Sequence, residues 1–283
     1  MSRVQALTSE AEVVVLDDEQ AVARDAARRL TAALGEAIDK RGVAHVALTG
    51  GSSAVSLYRE LVQPEWRDAI DWSRVHLWWG DERFVPVDHP DSNTGLAYNM
   101  LLNLAARAGQ SGVGALSTDI DAGGVPALPI RAENVHPYEV DEALSESDPA
   151  DLVAERYVEA LDAALPKVGG LPAFDVILLG VGGDGHTLSV FSDSRALRDG
   201  APLVLSVPAP RHIGPHHPRV TFNPLLLRPA RHVIVMVSGE DKAETLAKVF
   251  AAERDPRRLP AQLALLPNAV WLLDRTAAAQ LER

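Results

Sequence analysis

The sequence predicts an α/β fold, a mostly parallel sheet covered on both faces by helices. Three observations carry this. Short apolar runs alternate along the chain with segments whose apolar residues recur at helical spacing. The apolar runs lack the in-and-out alternation of half-exposed strands, so they read as strands buried on both sides. Hydrophobic residues make up 47% of the 283, enough for a large core without disulfide staples.

The elements follow in order. Val13–Leu16 is a short strand closed by Asp17 and Asp18, and Asp18 is placed to cap a helix carrying Val22, Ala26, Leu30, Ala33, Leu34 and Ile38. Gly42 follows its end. Val43–Thr49 reads as a buried strand, Gly50–Ser53 as a tight turn and Ala54–Leu61 as a helix. Val75–Gly80 is a further strand and Thr94–Ala106 a helical stretch. Asp148-Pro149 opens a helix with proline at its first position and Leu152, Tyr157, Leu161 and Leu165 inside. Phe174–Gly180, Pro202–Val207 and His232–Val237 are apolar runs of the fully buried kind. Glu240–Ala252 reads as a helix, Ala269–Asp274 as the last strand and Arg275–Leu281 as a closing helix. Arg107–Pro126, rich in Gly, Ala and Ser without a sustained period, reads as a flexible surface insertion. No linker divides the chain, so residues 1–283 are expected to form one domain.

Composition narrows the chemistry. Lys and Arg number 27 against 39 Asp and Glu, a net charge of −12. That balance argues against nucleic-acid and anionic-membrane partners, which need a positive field. It leaves room for a small anion held by a few local donors. The absence of cysteine removes disulfides, thiol nucleophiles and thiolate metal sites. No run approaches the roughly 18 apolar residues of a membrane span. The N-terminal stretch has acids where a signal peptide would carry its apolar core, so a cytoplasmic location is expected.

Four clusters stand where chemistry is expected, just beyond strand ends. Thr49-Gly50-Gly51-Ser52-Ser53 joins a strand to a helix, where glycines admit a phosphate to the backbone and free N–H groups face it. An ordinary capped turn would look the same. It is not a Walker loop, because the spacing and the lysine are missing. Asp81-Glu82-Arg83, after Trp78-Trp79-Gly80 and before Asp88-His89-Pro90-Asp91-Ser92-Asn93, gathers three charges, with Arg83 a fork-shaped donor suited to phosphate or carboxylate. Solvated loop charges are the bland alternative. Gly180-Val181-Gly182-Gly183-Asp184-Gly185-His186 satisfies G-x-G-x-x-G, yet the acid that a dinucleotide fold wants at the end of the next strand is missing. The better reading is a glycine loop that turns Asp184 and His186 toward a small ligand, with His186 as general base. In Ser238-Gly239-Glu240-Asp241-Lys242, a lysine stands near a helix N-terminus, poor dipole chemistry that an anionic ligand would resolve. His212, His216 and His217 lie among Gly214, Pro215 and Pro218, which forbid a helical H-x-x-x-H pair, so no metal is expected there.

Together these clusters resemble the 6-phosphogluconolactonase family. WWGDERFVPVDHPDSN at Trp78–Asn93 and LGVGGDGHTLSVF at Leu179–Phe191 carry the resemblance most specifically. RVTFNPLLLRPA and SGEDKAETL, within Arg219–Leu246, and LPAQLALLPNAVWLLD at Leu259–Asp274 extend it. The resemblance implies a Rossmann-like sheet and hydrolysis of 6-phospho-D-glucono-1,5-lactone in the pentose phosphate pathway. It implies no cofactor and no metal, and a monomer or weak homo-oligomer whose partner is the phosphosugar lactone. It assigns His186 as the catalytic histidine with Asp184 beside it, and places Arg83 and Asp81 in the catalytic group. Gly50, Gly51, Ser52, Lys242 and Arg83 become the phosphate site. The chain departs from the family pattern at Gly183, usually proline, and at Ser192-Asp193, usually Pro-Gly. A sugar-phosphate isomerase/deaminase on the same fold, with Asp81 moving a proton, is one alternative. A non-catalytic sugar-phosphate sensor is another, although the first 40 residues hold one helix and no basic helix-turn-helix pair.

Overall fold

A computed structural model describes residues 11–102, 127–147, 149–251 and 253–281. The strands are β1 (Glu12–Leu16), β2 (Ala44–Leu48), β3 (Val75–Trp79), β4 (Asp81–Arg83), β5 (Lys167–Val168), β6 (Leu171–Pro172), β7 (Val176–Leu179), β8 (Val204–Val207), β9 (Arg219–Phe222), β10 (His232–Val237) and β11 (Ala269–Asp274). The helices are α1 (Glu19–Arg41), α2 (Ser52–Leu61), α3 (Pro64–Arg67), α4 (Asn93–Ala97), α5 (Val140–Glu146), α6 (Ala150–Ala164) and α7 (Ala243–Val249).

Six strands pair in the order β1-β11-β10-β7-β2-β3, and every pairing is parallel. All carboxyl ends therefore face one edge. β2 leads outward to β3, whereas β7 leads the other way to β10 and β11, so the strand order reverses between β2 and β7. Ligands of open α/β sheets sit in the crevice at such a reversal. The strands form it because they are buried along nearly their whole length. Trp78, Trp79, Trp271, Phe174 and Phe222 are among the largest fully buried side chains. α1 crosses from β1 at one edge to β2, packing on β11, β10 and β7 as it goes. Asp18 Oδ1 caps it by accepting the Ala21 N–H at 2.8 Å, and Gly42 closes it with its N–H on the Ile38 carbonyl.

After β3 the chain leaves this sheet at Gly80. A three-stranded antiparallel sheet, β4-β9-β8, stands beside the carboxyl edge and pairs Arg83 with Arg219 and Asp81 with Thr221. Here the structure corrects the sequence. Asp81–Arg83, placed by the sequence just past a strand end, is itself a short strand, because β9 supplies its pairing partner. Pro202–Val207 gives only Val204–Val207, which joins this small sheet with Ser206 half-buried.

The other corrections are at helix ends. Helix α2 begins at Ser52, two residues early. Pro149 is an N-cap and not a first helical residue. Thr94–Ala106 splits into α4 and a π-helical turn over Tyr98–Leu102, and its remainder lies outside the described residues. Glu240–Ala252 is a 3₁₀ turn followed by the shorter α7. Arg275–Leu281 forms turns: Asp274 Oδ1 accepts the Ala277 N–H and the Thr276 hydroxyl, local bonds that compete with a helix too short to hold itself. The Arg107–Pro126 segment also lies outside the described residues.

Candidate active site

All four clusters reach one cleft at the carboxyl edge. Its lining includes Thr49, Gly50, Gly51, Ser52 and Ser53 after β2, Asp81 and Arg83 on β4, and Asn93 at the start of α4. Gly180, Gly182 and His186 come from the loop after β7, Arg219 from β9, and Ser238 and Lys242 from the segment after β10. Its volume, about 750 Å³ counted to open solvent, suits a small ligand.

The β2–α2 turn is shaped for an anion. Gly51 is the N-cap of α2 and has no side chain to satisfy the first N–H groups. Gly50 has Asn93 directly against it: a Cβ there would lie 1.8 Å from Asn93 Oδ1. Tyr58, buried beneath, donates its hydroxyl to the Thr49 carbonyl at 2.7 Å and fixes the strand end.

The β7 loop explains its own glycines. A Cβ at Gly182 would sit 2.1 Å from the His186 ring, so the glycine makes room for an imidazole and not for a dinucleotide. The loop closes on itself with the Gly182 N–H on the His186 carbonyl at 2.9 Å. Thr245 of α7 donates its hydroxyl to the Gly183 carbonyl. Within this loop His186 Nδ1 lies 2.5 Å from Asp184 Oδ1, and His212 Nε2 lies 2.6 Å from Asp184 Oδ2. Burial works to raise the Asp184 carboxyl, but the hydrogen bonds and charge of His186, with the bond from His212, outweigh it and hold it well below the usual carboxylate range. An ionised Asp184 needs a proton on His186 Nδ1, which leaves Nε2 as the lone pair. His186 is 18% exposed at its side chain, buried enough to be fixed and open enough to meet water. Its ring packs 4.5 Å from Phe191.

Two arginines face one another across β4 and β9. Arg219 is 3% exposed; it donates from Nη2 to the Pro215 carbonyl at 2.8 Å, while its Nε, like that of Arg83, is buried without a partner. Arg83 donates from Nη1 to the Asp91 carbonyl at 2.5 Å. Burial, first of all, pulls the Arg219 guanidinium below its ordinary value; Asp81 opposes this and Arg83 adds to it. Among the described residues neither arginine makes an ion pair within 4 Å. Like charges opposed across strands are destabilising, and an anion between them removes the conflict. Lys242 Nζ, 2.8 Å from Asp241 Oδ2, stands on the same cleft.

The acids of WWGDER are structural neighbours of these donors. Glu82 is buried and accepts four hydrogen bonds, from the N–H groups of Arg83 (2.6 Å), Asn93 (2.8 Å) and Thr94 (2.7 Å) and the Ser92 hydroxyl (3.2 Å). Burial raises its carboxyl, against those bonds. Asp81 accepts the Ser189 hydroxyl on Oδ2 at 2.5 Å, and its carbonyl accepts from Asn93 Nδ2 at 2.9 Å.

The structure thus gathers every residue assigned to the site from the sequence: Gly50, Gly51, Ser52, Asp81, Arg83, His186 and Lys242 line the cleft, and Asp184 backs His186. Arg219 was not singled out, Asn93 stood only as the end of the polar segment after Arg83, and His212 was weighed only as a metal ligand and set aside. A guanidinium opening the otherwise apolar run Arg219–Phe222 was the available signal for Arg219. His212 carried none, since its partner is 28 residues away.

Comparison with known proteins identifies the family. Residues 17–272 match the sequence pattern of the glucosamine-6-phosphate isomerases/6-phosphogluconolactonase family. The chain is 34% identical over 275 residues to the 6-phosphogluconolactonase of Synechocystis, covering 95% of this chain and 98% of that one. It is 33% identical to the Streptomyces coelicolor 6-phosphogluconolactonase, covering 96% and 95%. The structure of a Trypanosoma brucei 6-phosphogluconolactonase superposes with a TM-score of 0.77 at 25% identity, covering 97% and 100%.

Proposed function

The chain belongs to the glucosamine-6-phosphate isomerase/6-phosphogluconolactonase family, and on that premise we propose that it hydrolyses 6-phospho-D-glucono-1,5-lactone to 6-phosphogluconate in the pentose phosphate pathway. The observation that carries the reading is one cleft that brings anion donors together with an Asp–His pair. The phosphate docks on the free N–H groups and hydroxyls of Gly51–Ser53, on Lys242 and on Arg219. The lactone carbonyl then lies beside His186. His186 Nε2 takes a proton from water as the water oxygen bonds to C1. Arg83 steadies the oxyanion. The tetrahedral intermediate expels the ring oxygen, which receives that proton, and the C1–O bond breaks to give the open acid. The step consumes water alone and needs no cofactor. A general base of this kind contributes about 10²- to 10⁴-fold, and the distant phosphate supplies positioning.

Asp81 serves here by holding Ser189 and Asn93 and not by moving a proton, which separates this reading from isomerisation or deamination. One buried core running through both sheets among the described residues supports reading the chain as one α/β unit. Among the described residues no helix is long and apolar enough to cross a membrane, in keeping with a cytoplasmic enzyme. The test is to compare freshly generated 6-phosphogluconolactone with glucono-1,5-lactone. Removing the phosphate is expected to lower kcat/KM roughly 10²- to 10⁴-fold, the scale of two charge-assisted hydrogen bonds. Equal rates, or ammonia release from glucosamine 6-phosphate outpacing lactone opening, would overturn the reading.

A further inference from the structure

We propose that His89, Asp91 and His217 bind one divalent transition-metal ion of the zinc class, at a site beside the cleft. His89 and Asp91 lie in the segment after β4, and His217 lies just before β9. None of the three lines the cleft. One donor atom from each falls within 4.8 Å of the others, and this is the sole such group of three among the described residues.

The spacing fits an ion. His217 Nε2 stands 3.0 Å from Asp91 Oδ2, and His89 Nδ1 stands 3.8 Å from the same oxygen. Tetrahedral zinc with bonds of roughly 2.0–2.1 Å has ligand–ligand edges of about 3.3 Å. Two of the three edges are thus within about half an ångström of the requirement. The third closes by a modest turn of rings that are free to move, since the three side chains are 29–37% exposed. The imidazoles stand edge to face at 81° with centroids 5.1 Å apart, so neither ring lies flat over the other's lone pair.

The charge fits, and the protonation fits at His89, whereas His217 Nε2, which donates to Asp91 Oδ2, gives up that proton when an ion takes its place. Asp91 has the two histidines as its ion-pair partners, and Arg83 holds its main-chain carbonyl and not its carboxylate. His89 Nδ1 accepts the Asp91 N–H at 3.1 Å. That nitrogen therefore carries a lone pair, which it can transfer to an ion in exchange for a long hydrogen bond. Two imidazoles and one carboxylate suit Zn²⁺, Co²⁺ or Ni²⁺, whereas Mg²⁺ and Ca²⁺ prefer all-oxygen shells. Water completes the shell on the exposed side. Helical spacing could not reveal the site, because His89 and His217 meet only through the pairing of β4 with β9.

The inference does not depend on the lactonase reading. The test uses the full chain, stripped with a chelator, and titrates Co²⁺ by visible absorption and Zn²⁺ by calorimetry. One equivalent is expected at this site. His217→Ala and His89→Gln should each weaken binding by more than the roughly 10- to 100-fold that losing an outer-shell partner costs, and millimolar Mg²⁺ should not compete. His212→Ala is the control, because Asp184 between His186 and His212 is the neighbouring His–carboxylate arrangement; it should bind like the unaltered chain. Cooperative thermal unfolding shows that each variant is folded. No binding by the unaltered chain, full binding by folded His217→Ala or His89→Gln, or loss in His212→Ala instead, would overturn the proposal.

Discussion

Asp184 accepts from two imidazoles at once, and the two bonds do different work. In the proposed mechanism His186 is the base, and His212, with a half-exposed side chain, pins the second carboxylate oxygen so that the first stays on Nδ1. His212→Ala should therefore lower kcat by roughly three- to tenfold with KM little changed, a hydrogen bond to a charged group discounted for exposure. His212→Gln, which keeps an N–H donor, should recover most of the loss. Steady-state kinetics on the three proteins decides it, and an unchanged kcat in His212→Ala would remove His212 from the account. The residue scale is also where the sequence was least complete. His186, Asp184, Arg83 and Lys242 were legible because each follows a strand in a short glycine-marked segment. His212 and Arg219 were not, because their partners are fixed by tertiary pairing: Arg219 meets Arg83 only through the register of β9 on β4.

At the scale of elements, the cleft depends on how the chain exits β3. Strand β4, for which the sequence left a solvated charged loop as the alternative, carries Glu82 inward to receive the first N–H groups of α4. A buried carboxylate at a helix N-terminus satisfies donors that otherwise have no partner. It holds Asn93 against Gly50 and Arg83 beside the cleft. Glu82→Gln places an amide N–H₂ among these donors, and the unpaired groups should cost about 2–3 kcal/mol. Thermal unfolding should show that loss together with a lower kcat/KM. Stability and activity both equal to the unaltered chain would show that the Glu82 carboxylate does not hold the start of α4. The six parallel strands were legible because burial on both faces leaves an uninterrupted apolar run. The small antiparallel sheet was not, since Asp81-Glu82-Arg83 has no apolar pattern of its own.

Across the whole molecule, the end of the sheet away from the cleft carries a second ionisable group that sets acid stability. His45 and His76 are paired across β2 and β3, His76 Nδ1 lies 2.9 Å from His136 Nε2, and Trp78 stacks on His136 at 4.0 Å. Burial, with His76 and His136 adding, lowers the His45 imidazole to about 3; burial, with His76 adding, lowers His136 to about 4. Burial lowers His76 as well. The unfolded chain takes up these protons first, so stability is full above about pH 6.5 and falls as pH drops below it toward those values. At pH 5, His45 and His136 should each cost up to about 2 kcal/mol. Glu82 and Asp175, raised by burial, act in the opposite sense and offset part of the loss. The midpoint of denaturant unfolding should fall between pH 7 and pH 5, and His136→Phe, which keeps the stack but cannot protonate, should flatten the slope. A midpoint independent of pH over that range would contradict this. The same layering explains why a chain with a net charge of −12 handles an anion: its surface is acidic, while Arg83, Arg219 and Lys242 gather where the strand order reverses. The most direct test of that arrangement is turnover of freshly generated 6-phosphogluconolactone by the unaltered chain and by His186→Ala, each corrected for spontaneous ring opening. The account predicts a kcat about 10²- to 10⁴-fold lower in the variant with KM nearly preserved; a variant that keeps full lactonase activity would contradict it.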